Sequence, residues 1–146
     1  MKKKLWVKIL YVALFAVVAV MVIYKSYGPL PCLPKNYDRV ELISALKDGY
    51  QTEIELSDEQ VNSIVAALAS CDAASVKKDN PVNGYGSPQC RVCVRLRFWT
   101  GEKSTTRYLY LGVDGGKRCY IYGINSATGY GILENGDEIL KIILGE

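Results

Sequence analysis

Lys2, Lys3 and Lys4, followed by an apolar run from Leu5 to Tyr24 that only Lys8 interrupts, restrict this chain more than any other feature. The uncharged stretch from Ile9 to Tyr24 gives about 24 Å of α-helix, and Leu5, Trp6 and Val7 extend it to about the 30 Å of a bilayer hydrocarbon core. Lys8 sits one turn from the cytoplasmic end, where its stem lies along lipid while the ammonium reaches the headgroups. A cleaved leader needs small residues just past the apolar run. Ser26 and Gly28 come closest, but Pro29 would follow the cut, and a cut after Ala19 leaves a very short apolar core. Cys32 follows Gly28-Pro29-Leu30-Pro31, with two prolines where a lipoprotein signal carries small residues. A buried helix of a soluble domain rarely lacks a polar face over this length. The expectation is therefore a retained signal-anchor over residues 1–27, contacting the membrane through residues 5–24. Four lysines precede the apolar core and Lys25 follows it, so the N-terminus is expected in the cytoplasm and the remainder outside. Trp6, Tyr24 and Tyr27 suit the two interfaces.

Removing the anchor inverts the charge. The whole chain has 18 basic and 15 acidic residues, a net of +3, yet residues 1–25 hold five lysines and no acid, which leaves 13 bases against 15 acids beyond them. The outer part is about −2, and a nucleic-acid partner, which needs a concentrated basic surface, is not expected. Residues 28–36, with three prolines, read as an extended spacer, and residues 37–146 are long enough for one hydrophobic core and not two.

Within that domain, residues 39–46 and 50–56 read as strands around the turn Lys47-Asp48-Gly49. Ser57 and Gln60 form a capping box, Asp58 and Glu59 favour the positive end of a helix, and Val61, Ile64, Val65 and Leu68 recur on one face up to about Ser70. Residues 79–89 read as a loop. From Arg91 to Trp99 the chain alternates: Val92, Val94, Leu96 and Phe98 face one way, and Arg91, Cys93, Arg95, Arg97 and Trp99 the other. Strands at 105–113 and 117–122 meet at the turn Asp114-Gly115-Gly116. Either Tyr108 and Tyr110 or Leu109 and Leu111 share the buried side with Val94, and the pattern leaves this open. A short strand at 129–133 leads through Asn135, read as a cap with Glu138, into a C-terminal helix carrying Ile139, Leu140, Ile142 and Ile143. The expected class is α+β: one N-terminal transmembrane helix, then a mainly antiparallel sheet with one main packed helix and a short C-terminal helix.

The chain has five cysteines and no histidine. Outside the cell an even subset of cysteines tends to oxidise, and Cys71 with Cys90 is the favoured pair, because they bracket a loop whose closure is worth about 3 kcal/mol on the chain-entropy model. Cys90-Arg91-Val92-Cys93 has CxxC spacing, but a strand would point the two thiols to opposite faces, and neither a second CxxC nor a histidine completes a tetrahedral metal site. Gly112-Val113-Asp114-Gly115-Gly116-Lys117 is one residue short of a phosphate loop and continues into a strand. Without histidine the usual triads are absent, and Ser87 lacks a nucleophile-elbow context. No enzymatic activity and no cofactor are expected.

The patterned polar surface is Arg91, Arg95, Arg97 and Trp99, joined by Tyr108 and Tyr110, and by Tyr120 and Tyr122, if the register turns them outward. Arginine stems covering a solvated sheet face explain such a row simply. Arginine and tyrosine are also enriched in binding hot spots, which makes the row a candidate site for an acidic ligand on an extracytoplasmic protein or cell-envelope partner.

Leu56-Ser57-Asp58-Glu59-Gln60-Val61 opening a helix, the arginine-rich strand, Arg107-Tyr108-Leu109-Tyr110, and Gly129-Tyr130-Gly131-Ile132 before a short terminal helix resemble uncharacterised exported or membrane-anchored small domains of Gram-positive bacteria. The resemblance covers residues 40–144 and implies compartment and fold but no catalytic residues. The function expected is a membrane-anchored extracytoplasmic binding module. An inhibitor or immunity-type protein against an external toxin or hydrolase, and a thiol-redox protein, are the alternatives.

Overall fold

Val92, Val94, Leu96 and Phe98 are all essentially inaccessible to solvent, and the strand that carries them lies inside the sheet that organises the domain. The computed structural model describes residues 2–27, 30–70, 72–75, 89–116, 118–124 and 130–146. Helix α1 (Lys2–Tyr27) is followed by β1 (Leu30–Pro31), β2 (Arg39–Lys47), β3 (Thr52–Glu53), α2 (Asp58–Ala69) and β4 (Asp72–Ser75). Then come β5 (Val92–Thr100), β6 (Lys103–Gly112), the single turn α3 (Val113–Gly116), β7 (Arg118–Tyr122), β8 (Tyr130–Ile132) and α4 (Gly136–Leu144). Among the described residues the strands form one sheet in the order β1-β4-β8-β7-β6-β5-β2-β3, and every neighbouring pair is antiparallel. The fold is α+β, as the pattern of elements predicts.

In α1, the segment Lys4–Tyr24 is long and apolar enough to cross a membrane, and none of it is buried against the rest of the protein. The hydrophobic core lies on one face of the sheet. Val61, Ile64, Ala67 and Leu68 of α2 and Ile139 and Ile143 of α4 pack there on Val92, Val94, Leu96, Phe98, Leu109, Leu111 and Ile121. Ser57 accepts from the Gln60 backbone N–H while the Gln60 side chain accepts from Ser57 N, which completes the expected capping box. The two helices are tied side by side: Gln60 Nε2 donates to Ile142 O at 3.0 Å, and Asn135 Nδ2 to Ala67 O at 2.7 Å. Asn135 therefore bonds to the open C-terminal end of α2 and does not cap α4 with its side chain.

Pairing of Val94 with Leu109 and Val92 with Leu111 settles the open register: the leucines face the core and the tyrosines the opposite side. In β2 the register shifts between Leu42 and Ser44, a bulge at Ile43. Because of that extra residue, Val40, Leu42 and Ala45, which break simple alternation, all pair with core positions of β5, namely Phe98, Leu96 and Val94. The hairpin after β2 forms as expected, but its turn is wide, with positive φ at Asp48, Gly49 and Tyr50, and β3 shrinks to two residues of the seven expected. The expected turn at 114–116 is a helical turn closed by a bridge between Val113 and Arg118. The proline-rich stretch contributes β1, where Pro31 occupies the tolerant outer edge, and Cys32, which is buried beneath Arg107. Arg107 is itself buried, donating from Nε to Cys32 O at 3.1 Å and from Nη1 to Gly123 O, and burial pulls its guanidinium below the usual arginine range.

Candidate functional site

The face opposite the helices carries the polar pattern. Pairing Arg95 with Tyr108, Cys93 with Tyr110, Tyr108 with Tyr122 and Tyr110 with Tyr120 sets the outward residues of β5, β6 and β7 side by side. Tyr122 pairs in turn with Tyr130 of β8. The tyrosine rings touch across the sheet, with centroids 5.6 Å apart for Tyr108 and Tyr122, 4.7 Å for Tyr122 and Tyr130, and 6.0 Å for Tyr110 and Tyr130. Tyr110, Tyr120 and Tyr130 are buried within this layer, while Tyr108 and Tyr122 reach solvent.

Over that platform the exposed Arg95 places its guanidinium 4.8 Å from the Tyr108 ring centre. Along the same strand Trp99 is flanked by Arg97 at 5.7 Å and by Arg39 of β2 at 5.0 Å. Glu41 accepts from Trp99 Nε1 at 3.1 Å and lies 3.6 Å from Arg97 Nη1. Glu41 thus pairs with one guanidinium, that of Arg97, and among the described residues Arg95 has no ion-pair partner. The surface can hold an anion against a flat aromatic bed.

Arg95, Arg97, Trp99, Tyr108 and Tyr110 share one face of the sheet, with Tyr110 buried rather than presented. Arg91 is not among them. It precedes β5 in a bend and pairs with Glu146 at 3.6 Å, beyond the end of α4. Arg39 and Glu41 were not legible as members, because the bulge at Ile43 decides which residues of β2 face Arg97 and Trp99.

That bend also reverses the expectation for the CxxC segment. Arg91 N donates to Gly112 O at 3.4 Å and Arg91 O accepts from Asp48 N at 3.2 Å, so the chain is held in a turn before period-two alternation begins at Val92. Cys90 therefore swings back onto the same side as Cys93, and the two share one buried cluster with Tyr110 and Tyr120. The Cys90 thiol also donates to Tyr50 Oη at 3.7 Å. The hydrogen bond with Cys93, and then that with Tyr50, holds Cys90 below the ordinary thiol value against the opposing effect of burial. Cys93 is pushed up by the same hydrogen bond and by burial, and Tyr50 is pushed up by burial and by its bond to Cys90. Cys90 forms part of the wall of an open cleft of about 840 Å³, together with Tyr50, Gln89, Arg91, Gly112 and Gly115.

Among the described residues there is no disulfide: Cys90, Cys93 and Cys119 are thiols, and Cys71, the partner expected for Cys90, lies outside the described residues. No group of three or more metal-ligating side chains occurs among them either. Sequence spacing shows the CxxC, but only the tertiary structure, through Tyr50 and the cleft, shows which of the two thiols lines an opening. Compared with protein-family models, with curated proteins and with solved structures, the chain matches none.

Proposed function

We propose that this protein is a single-pass anchored module, N-terminus in the cytoplasm, whose outward domain binds an acidic segment of an extracytoplasmic protein on the face centred on Arg95. The observation that carries the reading is the exposed Arg95 guanidinium stacked on Tyr108 with no carboxylate partner among the described residues. A cation already stacked on an aromatic ring loses little side-chain freedom when an acidic group arrives, and arginine and tyrosine together are the residues on which binding energy concentrates. Arg39, Arg97 and Trp99 extend the surface into a stripe that suits a short extended segment.

Replacing Arg95 and Arg97 by Ser tests the face. In a pull-down of cross-linked surface proteins from intact cells, the double variant should retain less than about a tenth of the specifically captured partner, the loss expected from two hot-spot contacts. Unchanged capture discards this face, and capture of envelope polymer instead of protein replaces the partner class. The topology is tested separately by adding protease to intact cells. The domain should be digested from outside while a tag on the N-terminus survives, and a protected domain overturns the orientation.

A further inference from the structure

We propose that Cys90 and Cys93 form a thiol–disulfide exchange centre, in which Cys90, on the wall of the cleft, attacks a disulfide of an extracytoplasmic protein and Cys93 resolves the mixed disulfide. Three geometric facts support it. Cys90 and Cys93 belong to one buried cluster on the same side of the sheet, so the second thiol lies on the side of the first. Cys90 borders the cleft and Cys93 does not, which assigns attack to one and resolution to the other. Tyr50, held at positive φ in the turn after β2, brings its hydroxyl to the Cys90 sulfur, where it donates once the thiolate forms. The lowered value of Cys90 agrees with these roles, since exchange proceeds through the thiolate. Gly49, Gly112, Gly115 and Gly116 on the cleft walls leave room for a partner's backbone to approach the sulfur.

The step balances within the two proteins. The Cys90 thiolate, its proton released to solvent, attacks one sulfur of the partner disulfide; a Cys90–partner bond forms, the partner S–S bond breaks, and the departing thiolate takes up a proton. Cys93 then gives up its proton and attacks Cys90 Sγ, forming the Cys90–Cys93 disulfide and expelling the second partner thiolate, which is protonated in turn. The dithiol has lost two electrons and two protons, and the partner disulfide has gained them. This chemistry is independent of the Arg95 binding proposal.

The test uses the full chain in detergent micelles, reduced and then exposed to oxidised glutathione or to a disulfide-cyclised peptide, with products read by intact mass and peptide mapping. The wild type should lose two hydrogens and map to a Cys90–Cys93 disulfide that an excess of reduced glutathione opens again. Cys93→Ser should accumulate an adduct on Cys90, Cys90→Ser should do neither, and Cys119→Ser should behave as wild type. Faster reaction with the peptide assigns protein disulfides as substrate, and faster reaction with oxidised glutathione assigns small ones. A second readout needs no variant: in the wild type, iodoacetamide should label Cys90, on the cleft wall, at least about tenfold faster than Cys119, which does not line the cleft. Equal labelling, adducts that persist on wild type, or a Cys90–Cys93 bond that resists reduction each overturn the proposal.

Discussion

Replacing Gly136 by Ala should lower the stability of the outer domain by about 3 kcal/mol, the upper end of what overpacking a rigid contact costs, although the substitution adds a single methyl group. A Cβ at Gly136 falls 2.1 Å from Cys119 Cβ and 2.5 Å from its Sγ, far inside contact distance. Cys119 cannot step aside, because its Cβ is fixed to β7, which lies between β6 and β8. Relief must come from α4 moving off the sheet. That helix is held by buried Ile139 and Ile143 and by the bonds from Asn135 and Gln60, so a shift at its first turn opens the contact between α2 and α4 as well. The better helix propensity of alanine returns only about 1 kcal/mol. Thermal melts of the full chain in micelles should show Tm lowered by on the order of 10–15 °C, whereas Asp137→Ala at the exposed neighbouring position should move it little. Adding Cys119→Gly to the Gly136→Ala variant removes the clashing atoms and should recover part of the loss, a coupling that independent sites would not show. A single-variant shift below about 3 °C would mean that the close approach is not rigid.

Gly136 also shows why parts of this fold were readable and parts were not. Local signals carried through: the Ser57–Gln60 box opens α2, the apolar positions of β5 face the core, and the C-terminal apolar repeat forms α4. Each of these depends on neighbours within a turn or a strand. What failed depends on distant partners. Tyr108 and Leu109 are both apolar enough to be buried, and only pairing with β5 and β7 chooses between them, giving the leucine to the helices and the tyrosine to a second aromatic layer. Asn135 has the chemistry of a cap, yet its side chain bonds instead to the Ala67 carbonyl at the end of α2, which the Ser70 N–H and hydroxyl also reach. Strand β4 and edge strand β1 exist by pairing with each other and, for β4, with β8. The candidate binding face was legible from strand periodicity at Arg95, Arg97 and Trp99, but periodicity was extended one residue too far at Arg91. The same over-extension set the CxxC thiols on opposite faces, when a bend at Arg91 puts them together.

The aromatic and thiol layer should make the protein lose stability as pH rises. In the folded chain Cys93 is raised by its bond to Cys90 and by burial, Cys119 by burial, Tyr130 by burial and by its tyrosine neighbours, and Tyr50 by burial and by Cys90. A group whose folded value exceeds its unfolded one contributes stability that is complete below the unfolded value and declines above it, because the unfolded chain releases a proton that the folded chain retains. With ordinary values of 9.0 for cysteine and 10.0 for tyrosine, the decline should begin near the first and steepen past the second. Cys90 alone has the opposite sign: its folded value is lowered, so its contribution is present above the ordinary cysteine value and is lost as pH falls through the folded one. One such group cannot offset four. Each retained proton steepens the loss by at most about 1.4 kcal/mol per pH unit, less for groups that keep contact with solvent. The urea midpoint of the reduced full chain should hold from pH 7 to about 8.5 and then fall continuously to pH 11, and Cys119→Ala should delay the first part of that fall. A midpoint that stays level through pH 10.5 would show that water reaches these hydroxyls and thiols in the folded state, and the tightly packed second layer on the Arg95 face would then have to be abandoned.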